Sequence, residues 1–180
     1  KLDIAMGLIH RPQVLFLDEP TTGLDPEART SLWEIISRLS KEQGMTILLT
    51  THYLEEADHL ADRLAIVNSG KTIVEGTPEG LKEELKGDAI HIGLVDPNSV
   101  SEESVHHALE KIESIHEVLL EKPSLHIWVE SGSSTLPTVL ATLEAAGIKA
   151  ASAVVARPSL DDVYLRYTGQ SLKETQKGVV

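Results

Sequence analysis

Hydrophobic residues along this chain occur either as short unbroken runs or as stripes spaced three and four apart. The runs Val14-Leu15-Phe16-Leu17 and Ile47-Leu48-Leu49 are too short for helices and predict strands buried on both faces of a parallel sheet. Between them, Leu32, Ile35, Ile36 and Leu39 form a stripe that predicts a helix from Pro26 to about Gln43. Asp25 suits its N-cap, Pro26 its first position and Glu27 the positive end of its dipole, and Gly44 is placed to close it. Leu54, Ala57, Leu60 and Ala61 predict a further helix over Tyr53–Asp62, with Glu55, Glu56 and Asp58 on its solvated face. Upstream, Leu2, Ala5, Met6 and Ile9 predict a helix ended by Arg11-Pro12. Asn68-Ser69-Gly70-Lys71 reads as the turn of a hairpin whose second strand runs from Thr72 to Glu75. A short helix opens at Thr77-Pro78, buries Leu81 and Leu85, and stops at Gly87.

From Asp88 the pattern changes. Ile90, Ile92 and Leu94 alternate as one face of a strand, and Val105, Ala108, Leu109 and Ile112 line a helix opened by Ser101. Glu117–Leu120 and Leu125–Val129 bracket a hairpin turn, Leu136–Ala145 is a second helix stopped by Gly147, and Ile148–Ala156 is a last strand. The order is βαββαβ, a ferredoxin-like motif. Ser159 and Asp162 then form a capping box for a helix with Leu160, Val163, Tyr164 and Tyr167 on its apolar face and Gly169 at its end. The chain thus divides into residues 1–87, residues 88–170 and a tail, 171–180, that reads as disordered.

The chemistry concentrates after the first apolar run. Asp18 and Glu19 sit at the C-terminal end of that strand, where open α/β sheets place their ligands, and Pro20 stops it. Adjacent side chains on a strand point in different directions, so the two acids suit separate tasks, one at Mg²⁺ and one orienting a water. His52 ends the next strand in T-T-H. The stretch V-L-F-L-D-E-P-T-T-G-L-D-P resembles the Walker B and D-loop segment of ATP-binding cassette (ABC) ATPases, and His52 stands where that family has its switch histidine. The resemblance implies Asp18 as the Mg²⁺-associated aspartate, Glu19 as the catalytic carboxylate, His52 as a γ-phosphate contact and Asp25 as the D-loop residue facing a second ATPase subunit. ATP and Mg²⁺ are the implied cofactors. The second region and the segment P-S-L-D-D-V-Y-L-R-Y-T-G resemble the C-terminal domain of daunorubicin-resistance-type exporters.

The fold expected is therefore α/β: part of a P-loop NTPase core followed by a small α+β domain. The family's Walker A, Q-loop and L-S-G-G signature precede the region matched. Ser69-Gly70-Lys71-Thr72 does not replace the phosphate loop, because the pattern G-x-x-x-x-G-K-S/T demands glycine where Ala65 stands. A fragment without that cradle is expected neither to bind ATP tightly nor to hydrolyse it.

Composition narrows the partners. Sixteen basic residues against 28 acidic give a net charge of −12, with no basic run to hold nucleic acid or anionic lipid. There is no cysteine, hence no disulfide, thiol nucleophile or Cys-based zinc site. No apolar run reaches the ~20 residues that span a bilayer, so membrane association is expected through an integral permease subunit, at the cytoplasmic side. Adjacent His106 and His107 face different ways on a helix; His91, His116 and His126 can approach one another across strands, but no acid or cysteine spacing supports a site there. The competing functional readings are a regulatory, dimerising or ligand-sensing module in residues 88–170, and a soluble ABC ATPase acting on nucleic acid.

Overall fold

The computed structural model describes residues 6–10 and 12–169. Within them the chain is mixed α/β with three sheets, and it divides into two compact units, one up to Leu64 and one from Ala65 onward. That division lies earlier than the break at 87/88 read from the sequence. The hairpin meets the short helix that follows it, where a Cβ on Gly76 would come within 3.1 Å of Leu81, and the end of that helix is bonded through Glu84 to Tyr167.

In the first unit, strand β1 (Val14–Asp18) pairs in parallel with β2 (Thr46–Thr50), Asp18 standing opposite Thr50. The crossover is helix α1 (Pro26–Lys41), whose Leu32, Trp33, Ile36 and Leu39 are buried. Asp25 caps it by accepting from the Ala28 N–H at 2.8 Å. At the other end Gly44 takes φ 65°, donates to the Ser40 carbonyl and turns the chain into β2. Helix α2 (Leu54–Leu60) comes next. Leu15, Leu17, Leu32 and Ile36 form the core, with Leu24, Ile47, Leu49 and Leu60 packed around it.

Three sequence expectations are corrected here. β1 is buried on one face only: Leu15 and Leu17 point inward, whereas Val14 and Phe16 are 46% and 71% exposed and Leu48 on β2 is 58% exposed. Two strands with α1 against one face leave the alternate side chains uncovered among the described residues. The expected apolar stripe of the first helix also differs, for Met6 and Ile9 are exposed and Leu8 joins the core instead; Leu2, Ala5 and Arg11 lie outside the described residues. Finally, Glu56 is not on a solvated face. It is fully buried, accepting a hydrogen bond from the Trp33 indole N–H at 3.0 Å, which partners one of its oxygens.

The second unit opens with the hairpin β3 (Leu64–Asn68) and β4 (Lys71–Gly76), turning through Ser69 and Gly70 at φ 51° and 76°, as a two-residue hairpin loop requires. Thr77 caps α3 (Pro78–Glu83). An antiparallel sheet is then built from β5 (Asp88–Leu94), β6 (Ile115–Glu121), β7 (Ser124–Val129) and β8 (Ala150–Ala156), in spatial order β6-β7-β5-β8. One face carries Ile90, Ile92, Leu125, Ile127 and Val129 and packs on α4 (Glu102–Leu109) and α5 (Gly132–Ala145) through Val105, Leu109, Val139 and Leu143. α5 starts a turn before the expected Leu136 because Asp88 Oδ2 accepts the Gly132 N–H at 2.8 Å, so Pro137 falls inside the helix. The last described helix, α6 (Leu160–Thr168), buries Leu160, Val163, Tyr164 and Leu165. Tyr167 is not part of that apolar face; its ring is 42% exposed and its hydroxyl donates to Glu84 Oε2 at 2.8 Å. The residues expected to be disordered, 171–180, lie outside the described ones.

Candidate functional site

Parallel pairing of β1 with β2 brings their C-terminal tips side by side, and the polar residues just after each apolar run meet there. The Thr50 hydroxyl donates to Asp18 Oδ1, so this carboxylate is held from the neighbouring strand while remaining exposed. Glu19 is next, with φ 43°, in the left-handed region that a residue with a Cβ enters at a cost of roughly 1–2 kcal/mol. Two hydrogen bonds offset that cost: the Glu19 N–H donates to the Thr50 carbonyl at 3.0 Å, and its own carbonyl accepts the Thr22 N–H at 3.1 Å. The second bond closes a turn with Pro20 at its favoured position. Gly23, at φ 75°, supplies the positive φ for a second turn, in which the Leu24 N–H reaches the Thr21 carbonyl.

The turn aims the Glu19 side chain across the strand tips. Its Oε1 lies 3.2 Å from His52 Nδ1, and its Oε2 accepts the Thr22 hydroxyl at 3.1 Å. With Nδ1–H committed to the carboxylate, His52 keeps Nε2 for another group: an acceptor in the neutral ring, a donor in the imidazolium. His52 is itself held in place. Its ring packs 4.1 Å from that of Tyr53, over which the Arg29 guanidinium sits at 4.6 Å, while the Tyr53 N–H donates to the Thr51 hydroxyl.

Of the four residues picked from the sequence, the structure thus joins Glu19 to His52 directly and places Asp18 beside them through Thr50. Asp25 commits Oδ1 to the first turn of α1. Sequence reasoning missed Thr50, Thr22, Arg29 and Tyr53 as supports. The signal for Thr50 was available in its position opposite Asp18, since a hydroxyl at the tip of a parallel neighbour can reach the carboxylate beside it. Trp33 stacks on His59 at 5.1 Å, giving that histidine a structural place.

Adjacent parallel strands thus present an Asp-Glu pair and a histidine from neighbouring tips. Comparison with known proteins gives the family. Residues 76–168 match the family described as "ATP-binding protein DrrA1-3-like, C-terminal domain", and residues 1–58 match one described as "AAA domain, putative AbiEii toxin, Type IV TA system". The chain belongs to the DrrA1-3-like ATP-binding proteins and corresponds to their C-terminal part. It is 42% identical over 169 residues to the daunorubicin resistance ATP-binding protein DrrA3 of Streptomyces coeruleorubidus, covering 94% of this chain and 52% of that protein. It is 39% identical over 181 residues to the Nod factor export ATP-binding protein I of Sinorhizobium fredii, covering 97% and 47%. Identity to the linearmycin resistance ATP-binding protein LnrL of Bacillus subtilis is 32% over 176 residues, covering 97% and 55%. The chain spans about half the length of the curated relatives it matches. Among the described residues no helix is long and apolar enough to cross a membrane.

Proposed function

We propose that this chain is the C-terminal part of the ATP-hydrolysing subunit of an ABC exporter, in which hydrolysis by a pair of such subunits drives efflux of a small molecule or lipid through a separate membrane permease. The observation that carries the reading is the Glu19–His52 contact at 3.2 Å across two parallel strand tips. Glu19 is exposed, acceptor-only when ionised, and fixed in direction by His52 and Thr22. Such a carboxylate accepts a hydrogen bond from a water and orients it for in-line attack on a phosphoryl group. In its imidazolium form His52, steered by Glu19 on one side and Tyr53 on the other, donates Nε2–H to the γ-phosphate.

Asp18 suits Mg²⁺, which binds through one or two carboxylates together with phosphate oxygens and waters. The side chain is exposed at the strand tip, and Thr50 fixes one oxygen while the other stays open to an ion. Bound there, the ion would offset charge on the nucleotide phosphates. Asp25 caps α1 and, by the resemblance of T-T-G-L-D-P to a D-loop, is the residue we assign to face the second ATPase subunit. Phe16, Val14 and Leu48 are exposed together on one sheet face, and we assign that face to contact with the preceding half of the intact subunit, which carries the phosphate loop. The subunit is peripheral to the cytoplasmic face of the membrane.

In the second unit, the strand order β6-β7-β5-β8 supports the ferredoxin-like reading, with two helices on one face, and fits an accessory domain. Two experiments test the proposal. In the intact subunit, Glu19→Gln abolishes ATP turnover and leaves ATP binding; retained turnover ends the assignment. The 180-residue chain alone shows no ATP binding at micromolar concentration in calorimetry, and saturable binding there contradicts the placement of the phosphate cradle upstream.

A further inference from the structure

The sheet of the second unit has a face that α4 and α5 do not cover, and on it His91 of β5 stands opposite His126 of β7. Their Nδ1 atoms are 3.0 Å apart and their rings meet edge to face. α6 crosses this face and brings Asp162, only 2% exposed, to 3.7 Å from His91 Nε2. Asp162 Oδ2 is already used, accepting from the Ser159 N–H at 2.9 Å and the Ser159 hydroxyl at 2.7 Å in the capping box. Oδ1 is left directed at the imidazoles. His126 Nε2 is buried without a hydrogen-bond partner and has Glu121 Oε2 at 3.5 Å. One donor atom from each of His91, His126 and Asp162 lies within 4.8 Å of the other two.

A capping aspartate needs only one oxygen, and a sheet face beneath a helix needs no histidines. A hydrogen bond between the two Nδ1 atoms occupies one nitrogen of each ring and does not account for the buried Asp162 carboxylate that faces them. We propose that His91, His126 and Asp162 form a binding site for a first-row transition-metal dication of the Zn²⁺ class, which fastens α6 to the sheet. Two nitrogens and one carboxylate oxygen match Zn²⁺, with the fourth position left to water. Ligands at ~2.0–2.1 Å in a tetrahedron stand about 3.3 Å apart, so the three side chains, whose donor atoms lie within 4.8 Å of one another, close around the ion with each imidazole giving one nitrogen. Magnesium and calcium prefer all-oxygen sets and are poor competitors. Glu121 is placed to orient the remaining His126 nitrogen, and the partly exposed side chain of His91 gives a route in from solvent.

Occupancy has a structural consequence. α6 also reaches α3, through Tyr167 to Glu84 and Arg166 to the Glu84 carbonyl, so the metal would set how firmly that helix is seated across the unit. The test uses the metal-stripped 180-residue chain, titrated with Zn²⁺ by calorimetry. The expected result is one saturable equivalent, not displaced by excess Mg²⁺, weakened about tenfold or more by His91→Gln and by His126→Gln and unchanged by replacing the exposed pair with His106→Gln/His107→Gln. Absence of a saturable equivalent, or one that survives both His91→Gln and His126→Gln, overturns the proposal. Because either variant could unfold, X-ray absorption of the Zn²⁺-loaded unmodified chain provides a second readout. Two imidazole nitrogens at the metal are expected, and an all-oxygen shell overturns the assignment.

Discussion

Gly87 and Gly147 share φ 79° but stand in different surroundings, and the comparison isolates the cost of steric exclusion at the start of β5, the strand that carries His91. A Cβ at Gly147 meets nothing within 4 Å, so Gly147→Ala carries only the cost of left-handed backbone, roughly 1 kcal/mol. A Cβ at Gly87 would lie 2.1 Å from the Val129 carbonyl oxygen and 3.0 Å from Glu130 Cα, both backbone atoms that cannot rotate aside. Relief requires the chain to move by about an ångström. That motion breaks the Asp88↔Val129 end of the β5–β7 ladder and the bond from Gly132 N–H to Asp88 Oδ2, at about 1 kcal/mol each. The loss for Gly87→Ala is therefore about 3–4 kcal/mol, some 2–3 kcal/mol more than for Gly147→Ala. Hydrogen exchange of the Ile90 and Ile127 amides, read by NMR, measures unfolding of this sheet without interference from the first unit. Exchange in Gly87→Ala should exceed that in Gly147→Ala by about thirtyfold or more. Equal exchange in the two variants would refute the steric argument.

Trp33→Phe removes the donor to a fully buried carboxylate and should destabilise the first unit by about 2–3 kcal/mol in urea titrations, with much of that loss recovered in Trp33→Phe/Glu56→Met. Ser159→Ala removes the capping box of α6 and should cost about 1 kcal/mol in the same assay on the second unit. The hydrogen bond to Glu84, above all, raises the Tyr167 phenol above its ordinary value, so the contribution of that bond is complete below pH 10 and is lost as pH rises through the folded-state value. Tyrosine ring NMR shifts should show Tyr167 titrating above its ordinary value, returning toward it in Glu84→Gln.

The chemistry of the first unit was legible because a two-strand parallel register arises from two apolar runs joined by an amphipathic helix. The polar residues beyond each run must then meet at the tips, as Glu19 and His52 do. The exposed face of β1 was not legible: Val14 and Phe16 read as core by composition, and only the number of layers around a strand decides their burial. Glu56 misled for another reason. A charged residue on a helix is solvated unless a donor reaches it, and its donor, Trp33, lies on a different helix. At His91 the approach of histidines across strands was legible, and β7 pairing with β5 brings His126 opposite it. The acid was not, because Asp162 reads from sequence as a cap.

The central claim is that Glu19 and His52 act together on one event, and a double-variant cycle of ATP turnover in the intact subunit tests it most directly. Glu19→Gln should lower kcat by about a hundredfold or more, and His52→Ala by about a hundredfold. Residues acting as one unit are not additive, so Glu19→Gln/His52→Ala should be no slower than the worse single variant. Multiplied losses in the double variant, or turnover retained in either single one, would contradict the account.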